Sequence, residues 1–230
     1  MKTYPICLIG LEDRDALVIG GGEVARRKVG SLLEAGARVT VISPEVDQGL
    51  RDLAREGEIS LVERPYRAGD LQGALTTAPA LVIAATDVPE VNRAVWLEAS
   101  QMGCLVNVVD DPEHSNFILP AVVKYGELKI SISTGGASPA LAREIREKLE
   151  KEFGPERGPY IRLMGYLRKV IQSMGLESSE NQRLFRAIAA LPILSWIQEE
   201  RRGEILRGLQ DVCGPRLGIE KIPPIRRHGG

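Results

Sequence analysis

The fold class is decided by the stretch Ala16-Leu-Val-Ile-Gly-Gly-Gly-Glu-Val-Ala25. A short apolar run breaks into three glycines, and an amphipathic helical pattern follows at once. Gly20-x-Gly22-x-x-Ala25 is the dinucleotide-binding fingerprint, with alanine in its permitted third position. Gly20 allows a tight turn, Gly22 leaves room for a pyrophosphate, and Ala25 lets the helix lie close to the strand. The stretch therefore predicts a nucleotide-binding unit, against the alternative of a structural turn that is rich in glycine.

Strand and helix patterns alternate on both sides of this stretch. The apolar run at 80–85 is typical of a parallel strand that helices cover on both faces. Helices are predicted to begin at Pro44 and Pro89, where proline suits the first helical position. The alternation predicts an α/β fold with a Rossmann-like, doubly wound parallel sheet over residues 1–112. The predicted strands lie at 3–11, 16–19, 37–43, 59–62, 80–85 and 104–109.

The pattern changes after residue 112. Two strands at 117–123 and 128–133 can form a hairpin, and a helix is predicted from Pro139 with Ser138 as its N-cap. The helices that follow have apolar stripes and polar backs, so we expect them to lack a core of their own and to pack on a second subunit or on the first domain. The predicted segments are a small strand-containing region, a helical domain and a mobile tail at 113–153, 154–213 and 214–230.

Composition limits the function classes. The chain has 230 residues, 43% of them hydrophobic, and a formal net charge of -1, so no basic excess points to nucleic acid. No apolar run reaches the length of a membrane span, which predicts no membrane partner. With three scattered cysteines and two histidines, neither a disulfide framework nor a metal site is expected. These features predict a globular protein of a reducing, cytoplasmic compartment.

Two aspartates, Asp110 and Asp111, follow the last predicted parallel strand. Ligands bind at this carboxyl edge in open α/β sheets. An aspartate beside a nicotinamide can accept a proton or orient a substrate. The alternative is turn chemistry before Pro112. His114 lies on the same polar loop, where it could contact a substrate or be a plain surface residue.

A second glycine-rich stretch is Ser133-Thr-Gly-Gly-Ala-Ser-Pro139. Its backbone N–H groups could cradle a carboxylate or a phosphate, or the stretch could be a flexible joint. Lys124, Arg143 and Arg146 could pair with an anionic ligand, although a helix face that mixes Arg and Glu is more often solvated surface.

The ribose position departs from the usual fingerprint. An acidic residue is common about 20 residues beyond the glycines. Here that position is Ser43, with Glu45 two residues later and no arginine directly after it. The pattern favours NAD over NADP.

A set of motifs between residues 5 and 148 resembles one known family. The motifs are Pro5-Ile6, Asp15-Ala-Leu-Val-Ile-Gly-Gly-Gly-Glu-Val-Ala-Arg-Arg-Lys28, Leu33-Glu-Ala-Gly-Ala37, Ala84-Ala-Thr-Asp87, Asn107-Val-Val-Asp110, Asn116-Phe-Ile-Leu-Pro120 and Ser133-Thr-Gly-Gly-Ala-Ser-Pro-Ala-Leu-Ala142. Together they resemble the precorrin-2 dehydrogenase / sirohydrochlorin ferrochelatase family, the N-terminal module of siroheme synthase, which also exists free-standing. Nothing in the chain corresponds to the methyltransferase module of the fused enzymes, so the free-standing form is expected.

The resemblance implies an activity and a set of partners. The activity is NAD-dependent oxidation of the tetrapyrrole precorrin-2 to sirohydrochlorin, and in some members also insertion of ferrous iron to give siroheme. The family forms homodimers, which makes 113–153 a dimerisation and substrate region. The sequence leaves two alternatives open: a module that senses NAD without turnover, and a dehydrogenase acting on another small substrate.

The resemblance also assigns roles to individual residues. Asp110 would be the general base, and it would receive pyrrole protons in chelation. Thr134 stands where other members have a serine and keeps the hydroxyl. The implied cofactor-binding residues are Gly20, Gly21, Gly22, Glu23, Val24, Ala25, Ser43, Pro44, Glu45, Thr86 and Asp87. The implied substrate residues are Asn107, His114, Thr134, Gly135 and Gly136.

Overall fold

The protein is described by a computed structural model that covers residues 3–73, 78–214, 217, 222 and 225. The chain forms two compact units, Met1–Leu119 and Pro120–Gly230. The first unit thus runs beyond residue 112, where we expected it to end. The reason is that Ser115, Asn116 and Phe117 are hydrogen-bonded to the last strand of the parallel sheet.

The first unit is a parallel sheet with helices. Its strands are β1 Asp15–Ile19, β2 Arg38–Ile42, β3 Ile59–Val62, β4 Leu81–Ala84 and β5 Leu105–Val108, and its helices are α1 Glu23–Leu33, α2 Gln48–Arg55, α3 Asp70–Gly73 and α4 Pro89–Gln101. The five strands lie in the order β3-β2-β1-β4-β5, and every neighbouring pair is parallel. The predicted α/β Rossmann-like fold is confirmed.

Helices cover both faces of this sheet. One apolar cluster joins β1 to Ala25 and Val29 of α1, and the other joins β4 and β5 to Val95 and Ala99 of α4. All five residues of β1 are buried. Burial on both faces is why the strand sequences are continuous apolar runs without alternation.

Two local predictions in this unit are wrong. No strand forms over the described residues 3–11, where Pro5 cannot donate to a ladder and the side chains are largely exposed. The helix expected from Pro44 begins only at Gln48, because Asp47 caps it by accepting a hydrogen bond from the Gly49 N–H at 2.8 Å.

The second unit begins with a hairpin and continues with helices. The strands β6 Ala121–Tyr125 and β7 Leu128–Ile132 pair antiparallel, which confirms the predicted hairpin. Ser138 caps the next helix, as predicted, by accepting a hydrogen bond from the Leu141 N–H. The helices are α5 Pro139–Glu152, α6 Arg157–Ser173, α7 Ser178–Ala189, α8 Ile193–Gln198 and α9 Arg202–Cys213.

The expectation that the C-terminal helices lack a core is wrong. The apolar stripes of α6, α7, α8 and α9 face one another and form a buried cluster. Leu217 and Ile222, from the segment predicted to be a mobile tail, are buried in the same cluster. Apart from these two, Gly214 and Ile225, the segment lies outside the described residues. The fully buried helical members include Leu163, Leu167, Ile171, Ile188, Ile193, Ile205 and Leu209.

An ion pair links α3 to the segment that follows β3. The Arg64 guanidinium donates to both carboxylate oxygens of Asp70, at 2.7 and 2.9 Å. The Arg67 N–H donates to the same carboxylate at 2.8 Å. The hydrogen bond from Arg64 holds the pKa of Asp70 below its ordinary value of 3.8. A depressed pKa in the folded state adds stability above the unfolded pKa, and this stability is lost as the pH falls through the folded value.

We therefore expect Asp70→Asn to lower the free energy of unfolding at neutral pH by about 1.5–3 kcal/mol, the range for hydrogen bonds to charged groups. Urea unfolding at several pH values measures the effect. The deficit should shrink as the pH falls below the unfolded-state pKa of Asp70 and through its lower folded-state pKa, because the wild-type carboxylate then becomes protonated too. Asp52→Asn, which breaks the exposed Arg55 pair, is the control and should cost at most about 1 kcal/mol. A deficit that does not change with pH would contradict the ion-pair explanation.

Candidate active site

The three fingerprint glycines differ in what a side chain would meet at each position. Gly20 has φ +121°, and a Cβ atom there would overlap the carbonyl oxygen of Ala85. A Cβ atom at Gly21 would overlap the carbonyl oxygen of Glu45. At Gly22 nothing lies within 4 Å of the added atom. Packing therefore requires glycine at the first two positions, whereas Gly22 faces open space of the kind that a dinucleotide pyrophosphate needs.

The start of α1 presents unused backbone donors to this space. Gly22 is the N-cap in an extended conformation, and no side chain caps the helix. The N–H groups of Glu23 and Val24 lie in the first turn, where a helix has no internal acceptors for them. Ala25 is fully buried against the sheet. This end of the helix therefore suits an anionic phosphate group.

The loop after β2 lies directly against the fingerprint. The buried Ser43 hydroxyl donates to the carbonyl of Glu45 at 2.7 Å, and the Asp47 N–H donates to the carbonyl of Gly21 at 2.7 Å. Pro44 and Glu45 are exposed at the loop surface. The Asp47 carboxylate is already paired with Arg26, at 3.2 Å. Of the two acids in this loop, Glu45 is thus the exposed one, and Asp47 is held in an ion pair.

The end of β4 lies on the other side of β1 from the loop after β2. The strand order reverses between β1 and β4, which is where ligands bind in doubly wound sheets. The Thr86 hydroxyl donates to the side-chain oxygen of Asn92 at 2.8 Å, and the Asn92 amide donates back to the Thr86 carbonyl at 2.9 Å. Asp87 is exposed beside them. Asn92 was not predicted, because its role depends on a loop conformation that periodicity does not encode.

Asp110 stands at the carboxyl end of β5 in an unusual conformation. Its φ is +60°, in the left-handed region that aspartate tolerates better than most residues. Its side chain is exposed. The Val109 N–H donates to the carbonyl of Ala84 at 2.9 Å, and the Asp111 N–H donates to that of Val108 at 3.2 Å. The turn therefore places Asp110 at the carboxyl edge of the parallel sheet, the edge at which ligands bind in open α/β sheets in general.

The loop that follows is clamped along the free edge of β5. The Asn116 side chain accepts from the Val106 N–H and donates to the carbonyl of Cys104, both at 2.8 Å. The Ser115 hydroxyl accepts from the Val108 N–H at 2.9 Å. The amide of Asn107 donates to the carbonyl of Phe117 at 3.0 Å. This loop therefore covers the edge of the sheet with side-chain bonds and fixes the position of Asp110.

Asp111 is engaged by its neighbour. Its carboxylate lies 2.7 Å from Nδ1 of His114, whose ring packs edge-on against Trp96 with centroids 4.6 Å apart. The hydrogen bond from His114 holds the pKa of Asp111 below its ordinary value. A carboxylate with a lowered pKa is a weaker base. Of the two adjacent aspartates, Asp111 is thus engaged by a neighbouring side chain, whereas the side chain of Asp110 is exposed.

The second glycine-rich stretch belongs to the second unit and is held by hydrogen bonds between its own residues. The Thr134 hydroxyl accepts from the Ser138 N–H at 3.0 Å and contacts the Ser138 carbonyl at 3.1 Å. Gly135 and Gly136 have φ of +62° and +83°. The loop is therefore a defined turn that only glycines suit, rather than a loose joint.

The arginines of α5 are paired within their own helix. Arg143 donates to Glu147 at 2.8 Å and Arg146 to Glu150 at 2.5 Å. The α5 arginines thus form ion pairs on a solvated helix face, which is the alternative to binding an anionic ligand that the sequence left open.

Two searches concern only the described part of the chain. Among those residues, no helix is both long enough and apolar enough to cross a membrane. No group of three or more His, Cys, Asp or Glu side chains within the same ranges is arranged to hold a metal ion.

Two protein families match parts of the chain. Residues 7–121 match the family described as "Putative NAD(P)-binding", and residues 126–152 match "Sirohaem biosynthesis protein central". Siroheme synthase 3 of Aeromonas hydrophila is 39% identical over 178 residues, which are 77% of this chain and 37% of that protein. Siroheme synthase of Methylobacillus flagellatus is 40% identical over 80% of this chain and 38% of its own length. The chain thus spans well under half of these relatives.

A solved structure extends the similarity to 91% of the chain. The structure titled SirC, precorrin-2 dehydrogenase, matches with a TM-score of 0.75 and 26% identity. The match covers 91% of this chain and 100% of that one. The predicted nicotinamide dinucleotide cofactor is confirmed by the NAD(P)-binding family. The chain belongs to the precorrin-2 dehydrogenase / sirohydrochlorin ferrochelatase family, whose motifs its sequence carries.

Proposed function

We propose that the protein oxidises precorrin-2 to sirohydrochlorin with NAD as the oxidant. The observation that carries this proposal is the match to a solved precorrin-2 dehydrogenase over that protein's full length. The geometry agrees with it, because an exposed aspartate stands at the same sheet edge as an open glycine cradle.

The reaction removes one hydride and one proton from the tetrapyrrole, that is, two electrons and two protons in total. When bound, NAD supplies the acceptor for the hydride. The remaining proton needs a base within hydrogen-bond reach of the substrate. Asp110 fills this role, because its carboxylate is exposed at the ligand edge while that of Asp111 is tied to His114. Asn107, His114, Thr134, Gly135 and Gly136 remain the proposed substrate residues.

Insertion of ferrous iron would use the same base. The pyrrole nitrogens must lose two protons as iron enters, and Asp110 can receive them in turn. Iron is then a substrate, and no resident metal is needed. We therefore propose chelation as a second activity of the same site.

We further propose that the protein is a homodimer. A two-stranded sheet such as β6-β7 is marginally stable by itself. Val122 of β6 and Leu141 of α5 are large apolar residues that are 39% and 46% exposed. A partner that covers these residues would stabilise the hairpin. Light scattering at micromolar concentration should give twice the chain mass, and an active monomer would refute the dimer.

We expect NAD to be preferred over NADP. A 2′-phosphate would meet the exposed Glu45 carboxylate, and the nearby Arg26 is occupied by Asp47. Glu45→Gln should therefore narrow the ratio of NAD to NADP affinity by about tenfold, or about 1.4 kcal/mol. Titration of each dinucleotide measures the ratio, with Glu56→Gln, at the far end of α2, as the control. An unchanged ratio in Glu45→Gln would remove this residue from cofactor selection.

The proposed function is tested by anaerobic incubation with precorrin-2 and NAD, with and without ferrous iron. Formation of sirohydrochlorin supports the dehydrogenase, and formation of siroheme only when iron is added supports the chelatase. A protein that binds NAD and leaves precorrin-2 unchanged would instead be an NAD-sensing module. Turnover of another reduced substrate, with none of precorrin-2, would support a different dehydrogenase.

A further inference from the structure

The amide side chain of Asn92 is bonded to both polar groups of the Thr86 backbone. Its oxygen accepts a hydrogen bond from the Thr86 N–H at 3.3 Å, and its nitrogen donates to the Thr86 carbonyl at 2.9 Å. The same oxygen accepts from the Thr86 hydroxyl at 2.8 Å. Asn92 lies near the start of α4 and is half-buried. One side chain thus takes the place of a strand partner for a residue that lies beyond the end of β4.

Thr86 needs such a partner because the pairing of β4 with β1 ends at the residue before it. The Ala85 N–H donates to the carbonyl of Ile19 at 2.7 Å and so continues that pairing by one residue. From Thr86 onward the chain leaves the sheet and enters α4. The Thr86 hydroxyl also accepts from the Val88 N–H at 3.2 Å. Side-chain hydrogen bonds therefore fix the short connection between β4 and α4.

This connection lies against the fingerprint turn. A Cβ atom at Gly20 would overlap the carbonyl oxygen of Ala85 and would lie 3.2 Å from the Thr86 nitrogen. Gly20 follows β1 and Thr86 follows β4, and the strand order reverses between these two strands. A shift of Thr86 would therefore change the crevice in which a doubly wound sheet binds its dinucleotide.

We propose that Asn92 is a positioning residue of the cofactor site, which holds Thr86 in the conformation that NAD binds. The inference rests on the NAD dependence of the proposed function. It adds to that function a residue that acts through Thr86 rather than through contact with the cofactor. A loop that is already ordered loses less conformational entropy when a ligand binds, so its rigidity contributes to affinity. Without the Asn92 amide, NAD itself would have to order the connection.

Asn92→Leu keeps the approximate size of the side chain and removes its three hydrogen bonds to Thr86. We expect calorimetric titration to give a dissociation constant of NAD that is about tenfold higher, or about 1.4 kcal/mol. Saturating NAD orders the connection, so the KM for NAD should rise while kcat for precorrin-2 oxidation stays within about twofold of wild type. A loss in kcat with an unchanged dissociation constant would overturn the proposal and give Asn92 a direct role in the reaction.

Glu98→Gln is the control for general destabilisation of α4. Glu98 lies on the same helix and is also half-buried, and its carboxylate accepts hydrogen bonds from the N–H groups of Gly69 and Leu71. The variant therefore weakens bonds of the same kind from α4 to a different segment. It should lower the unfolding temperature and leave NAD affinity unchanged. An equal loss of NAD affinity in Glu98→Gln would overturn the proposal, because reduced stability alone would then explain the loss.

A measurement without turnover tests the bonds themselves. In Asn92→Leu, hydrogen exchange followed by NMR should become faster at the Thr86 N–H, which loses its acceptor. Exchange at the Ala85 N–H should not change, because it stays bonded to Ile19. Unchanged exchange at Thr86 would refute the role of Asn92 even if the dehydrogenase function stands. A protein that shows faster exchange and weaker NAD binding in Asn92→Leu, but does not oxidise precorrin-2, would refute the dehydrogenase function and keep Asn92 as a positioning residue for NAD.

Discussion

Gly22→Val is expected to lose NAD binding and to keep its fold. A valine side chain at Gly22 would meet no protein atom within 4 Å of its Cβ, so packing tolerates it. The same side chain would fill the open space in front of the α1 N–H groups, where the pyrophosphate must approach the backbone. Calorimetric titration should show NAD affinity lower by roughly a hundredfold or more, about 2.8 kcal/mol.

Gly20→Val is the matched variant, because it places the same side chain two residues earlier. There the Cβ atom would overlap the carbonyl of Ala85, and the backbone φ of +121° strains any side chain. This variant should unfold at markedly lower temperature or fail to fold. If Gly22→Val bound NAD as the wild type does, the glycines would be only a turn and the cofactor would bind elsewhere.

Asp110→Asn is expected to abolish most dehydrogenase turnover. Asparagine has the shape of aspartate and tolerates the left-handed φ of +60°, so the loop should stay in place. It cannot take the proton that leaves the substrate. We expect kcat to fall by roughly a hundredfold or more, with NAD affinity unchanged. Anaerobic kinetics and NAD titration measure the two quantities, and any chelatase activity should fall in the same variant.

His114→Ala is the comparison for this prediction. It removes the partner of Asp111 and leaves Asp110 in place, so it should lose much less activity than Asp110→Asn. Near-wild-type oxidation by Asp110→Asn would pass the role of base to Asp111, His114 or solvent.

The parallel sheet and its cofactor turn could be predicted because their signals are local. Gly20 permits the tight turn, Gly22 leaves room for the pyrophosphate, and Ala25 lets the helix pack close to the strand. The helix from Pro89 to Gln101 was likewise predictable, because proline stands at its first position and Gly103, with a φ of +68°, follows its C-cap. Short-range chemistry of this kind can be read from the sequence without knowing what packs where.

The clamp around Asp110 could not be predicted in the same way. Asn116 acts as a substitute strand partner for β5, and its bonds to Cys104 and Val106 depend on a chain reversal. A side-chain amide that pairs with a strand edge leaves no periodic pattern.

For the C-terminal helices, the prediction from the sequence was wrong. The pattern of apolar stripes predicts helices without a core of their own, whereas Leu167, Ile171, Ile188 and Ile205 meet in one cluster. Each helix alone has too few apolar residues for a core, and only the angles between helices show that their stripes converge. The case for a dimer therefore rests on the hairpin and α5 rather than on these helices.

The most direct test of the central claim is the stoichiometry of one anaerobic reaction with the wild-type protein, precorrin-2 and NAD. The account predicts that NADH and sirohydrochlorin form together in equal amounts, and that neither forms when the tetrapyrrole is left out. If NAD binds to the protein but no NADH appears in the presence of precorrin-2, the protein is not the dehydrogenase described above.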